Sequence, residues 1–93
     1  MPDAEKTARI FKALAAGTRV RILELLKGRS LCVNALAHRL GITPAAVSQH
    51  LRILRDAGIV VPEKKGYFVH YRLDQKTATK WSEAANRLLN VKG

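Results

Sequence analysis

Apolar residues recur at helical spacing through most of this chain, and the pattern changes to alternation after residue 58. Val33, Leu36, Ala37 and Leu40 follow i, i+3, i+4, i+7 and make one apolar stripe that stops at Gly41, a residue suited to the left-handed position closing a helix. Ile42 then fills the corner. Thr43 offers a hydroxyl as N-cap, and Pro44 stands where the first helical turn needs no amide donor. A second helix is therefore predicted from Pro44 to Asp56 or Ala57, ended by Gly58, roughly 14 residues or ~21 Å long.

Two β-rich runs follow, 59–61 and 67–73, separated by Pro62-Glu63-Lys64-Lys65-Gly66, which predicts a hairpin with a charged loop and Lys64 and Lys65 at its tip. In the second run Tyr67, Val69, Tyr71 and Leu73 alternate with Phe68, His70 and Arg72, so the first set is expected to pack on the helices. Both ends of the chain are helical. Ala8, Phe11, Leu14 and Ala15 form a stripe over 3–16, which Gly17 breaks. Thr18 is expected to cap a further helix through Lys27, with Val20, Ile22, Leu23, Leu25 and Leu26 buried and Gly28 closing it. Ala78, Trp81, Ala85, Leu88 and Leu89 recur between Gln75 and Asn90.

Helix, tight turn, helix and basic hairpin are the outline of a winged helix-turn-helix DNA reader. Projected down its axis, the second helix of the pair places Val47, His50, Leu51, Leu54 and Ala57 on one side. Pro44, Ala45, Ser48, Gln49, Arg52 and Arg55 lie on the other. One side packs and the other is free to read. Ser48 and Gln49 suit base edges, Arg52 a guanine or a phosphate, and Ala45 a thymine methyl, while the helix N-terminus favours a phosphate. Taken alone, the same pattern also describes an ordinary amphipathic helix with a solvated face, and the two lysines also describe a device that keeps a hairpin edge soluble.

Charge sharpens the choice of partner without locating it. Lys and Arg number 17 against 7 Asp and Glu, a formal net charge of +10, which favours a polyanion. The excess is spread over the chain, +3 in 1–28, +3 in 29–58, +1 in 59–74 and +3 in 75–93, as on a folded basic surface rather than a tail. Ninety-three residues make a single domain, 1–93, with a helix-turn-helix over 33–57 and a wing over 59–73. A core this small gains from an oligomeric interface, and the terminal helices 3–16 and 75–90 supply two apolar stripes for one. Phe11, Leu14, Trp81, Ala85 and Leu88 are the candidate dimer contacts; the alternative is that these helices fold back on their own domain. A dimer suits a helix-turn-helix, which reads two half-sites about 34 Å apart through two-fold symmetry. The sequence has no secretory segment or membrane-length apolar run, and its one cysteine fits a reducing compartment, so a cytoplasmic protein without a membrane partner is expected.

The stretches Phe11-Lys12-Ala13-Leu14-Ala15, Thr18-Arg19-Val20-Arg21-Ile22-Leu23, Leu31-Cys32-Val33, Leu36-Ala37 and Leu40-Gly41 belong to a wider pattern. It continues in Val47-Ser48-Gln49-His50-Leu51, Leu54-Arg55-Asp56-Ala57-Gly58-Ile59-Val60 and Tyr71-Arg72-Leu73. Together they resemble the ArsR-type winged-helix repressors over nearly the whole chain. The resemblance implies a mainly α fold with a small β-hairpin, and a homodimer built on the first and last helices. It also implies binding to a double-stranded operator, an inverted repeat, with release when an inducer binds or a thiol is modified. Carried over by position, DNA contacts fall on Thr43, Pro44, Ala45, Ser48 and Gln49. Pro44 and Ala45 stand where polar residues are common in the family, which moves weight to Arg52, methyl contacts and DNA shape.

The inducer is where this chain departs from the family. Thiol metal sensors carry Cys-Val-Cys where this chain has Cys32-Val33-Asn34, and soft ions want two or three thiolates. The other common site needs histidine on the last helix, and no histidine follows His70. The expected protein is thus a sequence-specific dimeric repressor without cofactor or family metal site, released by an unidentified signal. Two alternatives stand beside it. Cys32 serves as a metal- or thiol-responsive residue, or the winged helix binds DNA without specificity or binds protein. No phosphate loop, carboxylate pair or activated nucleophile points to an enzyme.

Overall fold

The helical stripes become five α-helices and the alternating runs a small antiparallel sheet in a computed structural model, which describes residues 2–90. Residues 1 and 91–93, part of the single-domain reading, lie outside the described residues. The order is α1 (Pro2–Leu14), α2 (Gly17–Leu25), β1 (Leu31–Cys32), α3 (Val33–Leu40), α4 (Pro44–Asp56), β2 (Val60–Lys65), β3 (Phe68–Leu73) and α5 (Gln75–Leu89). No helix among the described residues is long and apolar enough to cross a membrane.

The centre of the core is the helix-turn-helix itself. Ile22 and Leu26 meet Leu36, Ala37 and Leu40 of α3, Val47, Leu51 and Leu54 of α4, and Ile59 and Val60 at the start of the wing. The corner between α3 and α4 forms as its residues dictate. Gly41 takes φ 69°, its N–H donates to the Ala37 carbonyl at 2.9 Å, and Thr43 Oγ1 accepts from the Ala46 N–H at 3.1 Å.

Several details differ from the pattern-based expectation. Thr18 is not a cap: Gly17 opens α2 rather than merely breaking α1, and Ala16 precedes it without a side-chain bond. Val20 is 40% exposed and Leu23 and Leu25 are half-buried, because α2 turns only the Ile22 and Leu26 stripe fully inward. Ala57 is exposed just past the last turn of α4. The charged stretch after Val61 is strand rather than loop. Register runs from Val60↔Leu73 out to Lys65↔Phe68, leaving only Gly66 and Tyr67 to turn, so Lys64 and Lys65 lie within β2 and not at the apex. Pro62 is tolerated there because the sheet order β1-β3-β2 makes β2 an edge. Tyr71 and Leu73 pack on the core as expected, but Tyr67 and Val69 do not, since the ribbon projects beyond the helices.

The third strand, β1, pairs Leu31↔Tyr71 and Cys32↔His70 and roots the wing beside α3. At the other side Asp74 caps α5: its Oδ2 accepts from the Thr77 N–H at 3.1 Å and from Thr77 Oγ1 at 2.7 Å. The side-chain and backbone bonds from Thr77 hold the Asp74 carboxyl below the usual aspartate range. Its backbone N–H also donates to the Ile59 carbonyl at 2.9 Å, fixing the start of α5 to the base of the wing.

Candidate nucleic-acid interface

The outer face of α4 is assembled by what its inner face buries. Val47, Leu51 and Leu54 are at most 1% exposed, so the residues between them must point outward. Thr43, Pro44, Ala45, Ser48, Gln49, Arg52 and Arg55 are all exposed. No side chain of Ser48, Gln49, Arg52 or Arg55 has a hydrogen-bond or ion-pair partner among the described residues. Exposed polar side chains with no partner among the described residues can bond elsewhere. Thr43 Oγ1, already an acceptor from Ala46, keeps its own proton to donate.

The wing stands next to that face. A hollow of about 150 Å³ lined by Ser48, Leu51, Arg52, Arg55 and Tyr71 lies where β3 meets α4. The two lysines, taken together in the sequence reading, are separated here. Adjacent positions on β2 face opposite ways, so Lys65 shares a face with Phe68 and Lys64 with Val69. Lys65 Nζ donates to Ser30 Oγ at 3.3 Å and lies 4.0 Å from Glu63, whose other oxygen takes Arg72 Nε at 2.9 Å. Lys64 has no partner among the described residues.

His50 lies on the inner flank of α4, half-buried, with Nδ1 3.2 Å from Arg19 Nη1. Arg19 is a residue that pattern reading passed over. Its Nε donates to the Ala13 carbonyl at 2.6 Å and its Nη2 to the Lys12 carbonyl at 3.4 Å, so one guanidinium ties the end of α1 to α4. His50 must then accept at Nδ1. Arg19→Ala is expected to lower stability by roughly 1.5–3 kcal/mol, seen as a lower urea midpoint at unchanged slope. Arg19→Lys recovers little of it, because an ammonium cannot bridge two carbonyls and an imidazole in one plane. A wild-type midpoint in both variants would remove this tie from the account.

The proposed dimer residues sit on the two terminal helices. Phe11 is 38% and Leu88 59% exposed, and they line a groove of about 380 Å³ with Ala8 and Ala84 between α1 and α5. Leu14 and Ala85 are half-buried, and the small residue that α5 buries is Ala84, which the spacing did not single out. Trp81 is half-buried against the core of its own domain. Cys32 is half-buried beside His70 in the sheet, and the buried Nδ1 of His70 has no partner among the described residues. No three His, Cys, Asp or Glu side chains among the described residues converge as metal ligands would.

Comparison with known proteins agrees with this geometry. The model of the family described as bacterial regulatory protein, arsR family, matches residues 16–61. The transcriptional repressor SdpR of Bacillus subtilis is 35% identical over 81 residues, 87% of this chain and 87% of that protein. The arsenic resistance transcriptional regulator ArsR1 of Pseudomonas putida is 40% identical over 76 residues, 81% of this chain and 59% of its own. Among solved structures, an ArsR-like transcriptional regulator from Rhodococcus sp. RHA1 superposes with TM-score 0.81 at 28% identity, over 95% of this chain and 83% of that one. A homodimeric winged helix-turn-helix DNA-binding domain from Mycobacterium bovis gives 0.75 at 30% identity, over 88% and 77%.

Proposed function

Because this chain belongs to the bacterial ArsR family of winged helix-turn-helix DNA-binding transcriptional regulators, we propose that it is a dimeric repressor of an inverted-repeat operator. The observation that carries the reading is the outer face of α4, where Ser48, Gln49, Arg52 and Arg55 are exposed together without side-chain partners among the described residues. Thr43, with the helix N-terminus, takes a phosphate; Ala45 meets a thymine methyl; Ser48, Gln49 and Arg52 read base edges; Lys64 and Lys65 follow the backbone beside them.

Dimerisation through α1 and α5 is supported by the apolar surface these helices leave uncovered, Phe11, Leu88 and the 65% exposed Leu89. We further propose that the releasing signal is not a soft metal on a family-type thiolate pair, since Asn34 stands where the second thiol would be.

The test is selection of bound duplexes from a random DNA library at near-physiological salt, followed by sequencing. An enriched inverted repeat is expected. Salt-sensitive binding with no enrichment would instead assign a non-specific coat. On the enriched duplex, Gln49→Ala is expected to lose roughly 5- to 100-fold in affinity and much less on scrambled DNA. An equal loss on both would remove Gln49 from the residues that specify sequence.

A further inference from the structure

We propose that the hollow between α1, the end of α4 and α5 binds a small aromatic carboxylate, and that this ligand is the signal that releases the operator. The second half rests on the DNA-binding reading above. The hollow measures about 490 Å³, within the usual range for small-molecule sites, roughly 300–1,000 Å³. Three elements far apart in sequence bound it. Its apolar part comes from Ile10 of α1, Ala57 after α4, and Trp81 and Ala84 of α5. Ile10 and Trp81 are half-buried, and the small side chains of Ala57 and Ala84 leave the room between them.

Charge surrounds that apolar patch and is not spent within the protein. Lys6, Arg9, Lys80 and Arg87 line the hollow together with the carboxylates of Asp3, Asp56 and Glu83. None of these side chains makes a hydrogen bond or an ion pair among the described residues. Spacing would allow two pairs, Asp3 with Lys6 at i, i+3 and Glu83 with Arg87 at i, i+4, yet neither forms. Four cations and three carboxylates thus stand around one hollow, all of them available to a ligand.

The class of ligand follows from what the lining offers. Cations outnumber carboxylates, and the two guanidiniums present planar forks that match a carboxylate. The indole N–H of Trp81 is a donor only and has no partner among the described residues, so it too asks for an acceptor. A flat ring suits the part of Trp81 that its own core leaves open, since aromatic faces stack offset on one another. Phe11 and Leu88 line the neighbouring groove and not this hollow, so a dimer built on them need not fill it.

Position makes the site a lever. Asp56 is the last residue of α4 and Ala57 its C-cap, while α1 and α5 carry the proposed dimer contacts. A ligand that grips all three elements fixes the direction of α4 relative to the dimer helices, and with it the spacing of the two reading helices. A duplex selected by the ligand-free protein fits the ligand-free spacing, so a shift away from it lowers affinity.

The test uses the isotope-labelled full chain with naphthoate as the probe. The chain has one tryptophan, so a single indole N–H resonance reports on the hollow. Naphthoate is expected to shift that resonance saturably. Its neutral amide, naphthylmethylammonium and cyclohexanecarboxylate, which remove the charge, reverse it or remove the flat ring, are each expected to bind roughly fivefold or more weakly. The double variant Lys6→Gln, Lys80→Gln changes two exposed residues outside the groove of Phe11 and Leu88. It is expected to lose roughly fivefold or more in naphthoate affinity, while Lys76→Gln, exposed on α5 and outside the hollow, keeps it. On the selected duplex, saturating naphthoate is expected to lower wild-type affinity roughly fivefold or more, and the same concentration to act much less on the double variant. An indole resonance that naphthoate leaves in place, tighter binding of the ammonium, or unchanged naphthoate affinity in the double variant would overturn the site. Binding with no loss of operator affinity would overturn its role as the signal. A wild type that selects no duplex removes the repressor reading and the signalling half with it, and the indole resonance still decides whether the hollow is a site.

Discussion

If the proposed α1–α5 dimer forms, Leu88→Glu is expected to turn it into a folded monomer and to weaken binding to the selected duplex by roughly two to four orders of magnitude. The size follows from linkage. When two reading helices are joined, the second half-site is bound at high effective concentration, and separating the protomers removes that gain without touching a DNA contact. Leu88 is a clean position for the change, being 59% exposed on α5 and facing the groove shared with Phe11. A carboxylate there is solvated in the monomer and stranded in an apolar interface. Trp81 is less suited, because it also packs on its own core and its replacement would confuse dissociation with unfolding. Sedimentation equilibrium and fluorescence anisotropy read the two quantities. A Leu88→Glu chain that remains dimeric with unchanged affinity would place the interface elsewhere.

Leu51→Ala is expected to cost about 2–5 kcal/mol, the usual range for emptying a buried leucine site. Against a total of about 5–15 kcal/mol for a small domain, that is a large fraction. Leu51 is 1% exposed, one turn from Val47 and close to Leu54, so it is the middle anchor that sets which face of α4 looks outward. Urea unfolding at constant slope measures the loss. A change under about 1 kcal/mol would mean that the inner face of α4 does not seat the helix.

The helix-turn-helix was legible because each of its signals is local. A four-residue stripe, a glycine at the C′ position, a threonine cap and an N-terminal proline all act within one or two turns, and each takes its expected place in α3 and α4. The Asp74 cap of α5 is of the same kind, an acidic residue just ahead of a periodic segment, and was open to the same reading. Strand β1 was not legible, since two residues are too few to show a period. The wing misled for a different reason. Alternation in 67–73 tells which residues share a face, but not how far that face stays over the helices. Tyr71 and Leu73 remain on the core, while Tyr67 and Val69 run past its edge. Arg19 was invisible to pattern because its partners, two carbonyls of α1 and an imidazole of α4, are brought together only by packing.

The central claim is that two copies of α4 lie in successive major grooves of one duplex. Hydroxyl-radical footprinting of the full chain on its enriched duplex tests it most directly. Two protected windows are expected on one face of the DNA, centred about one helical turn apart, roughly 34–36 Å. A single window, or protection spread evenly along the duplex, would contradict it.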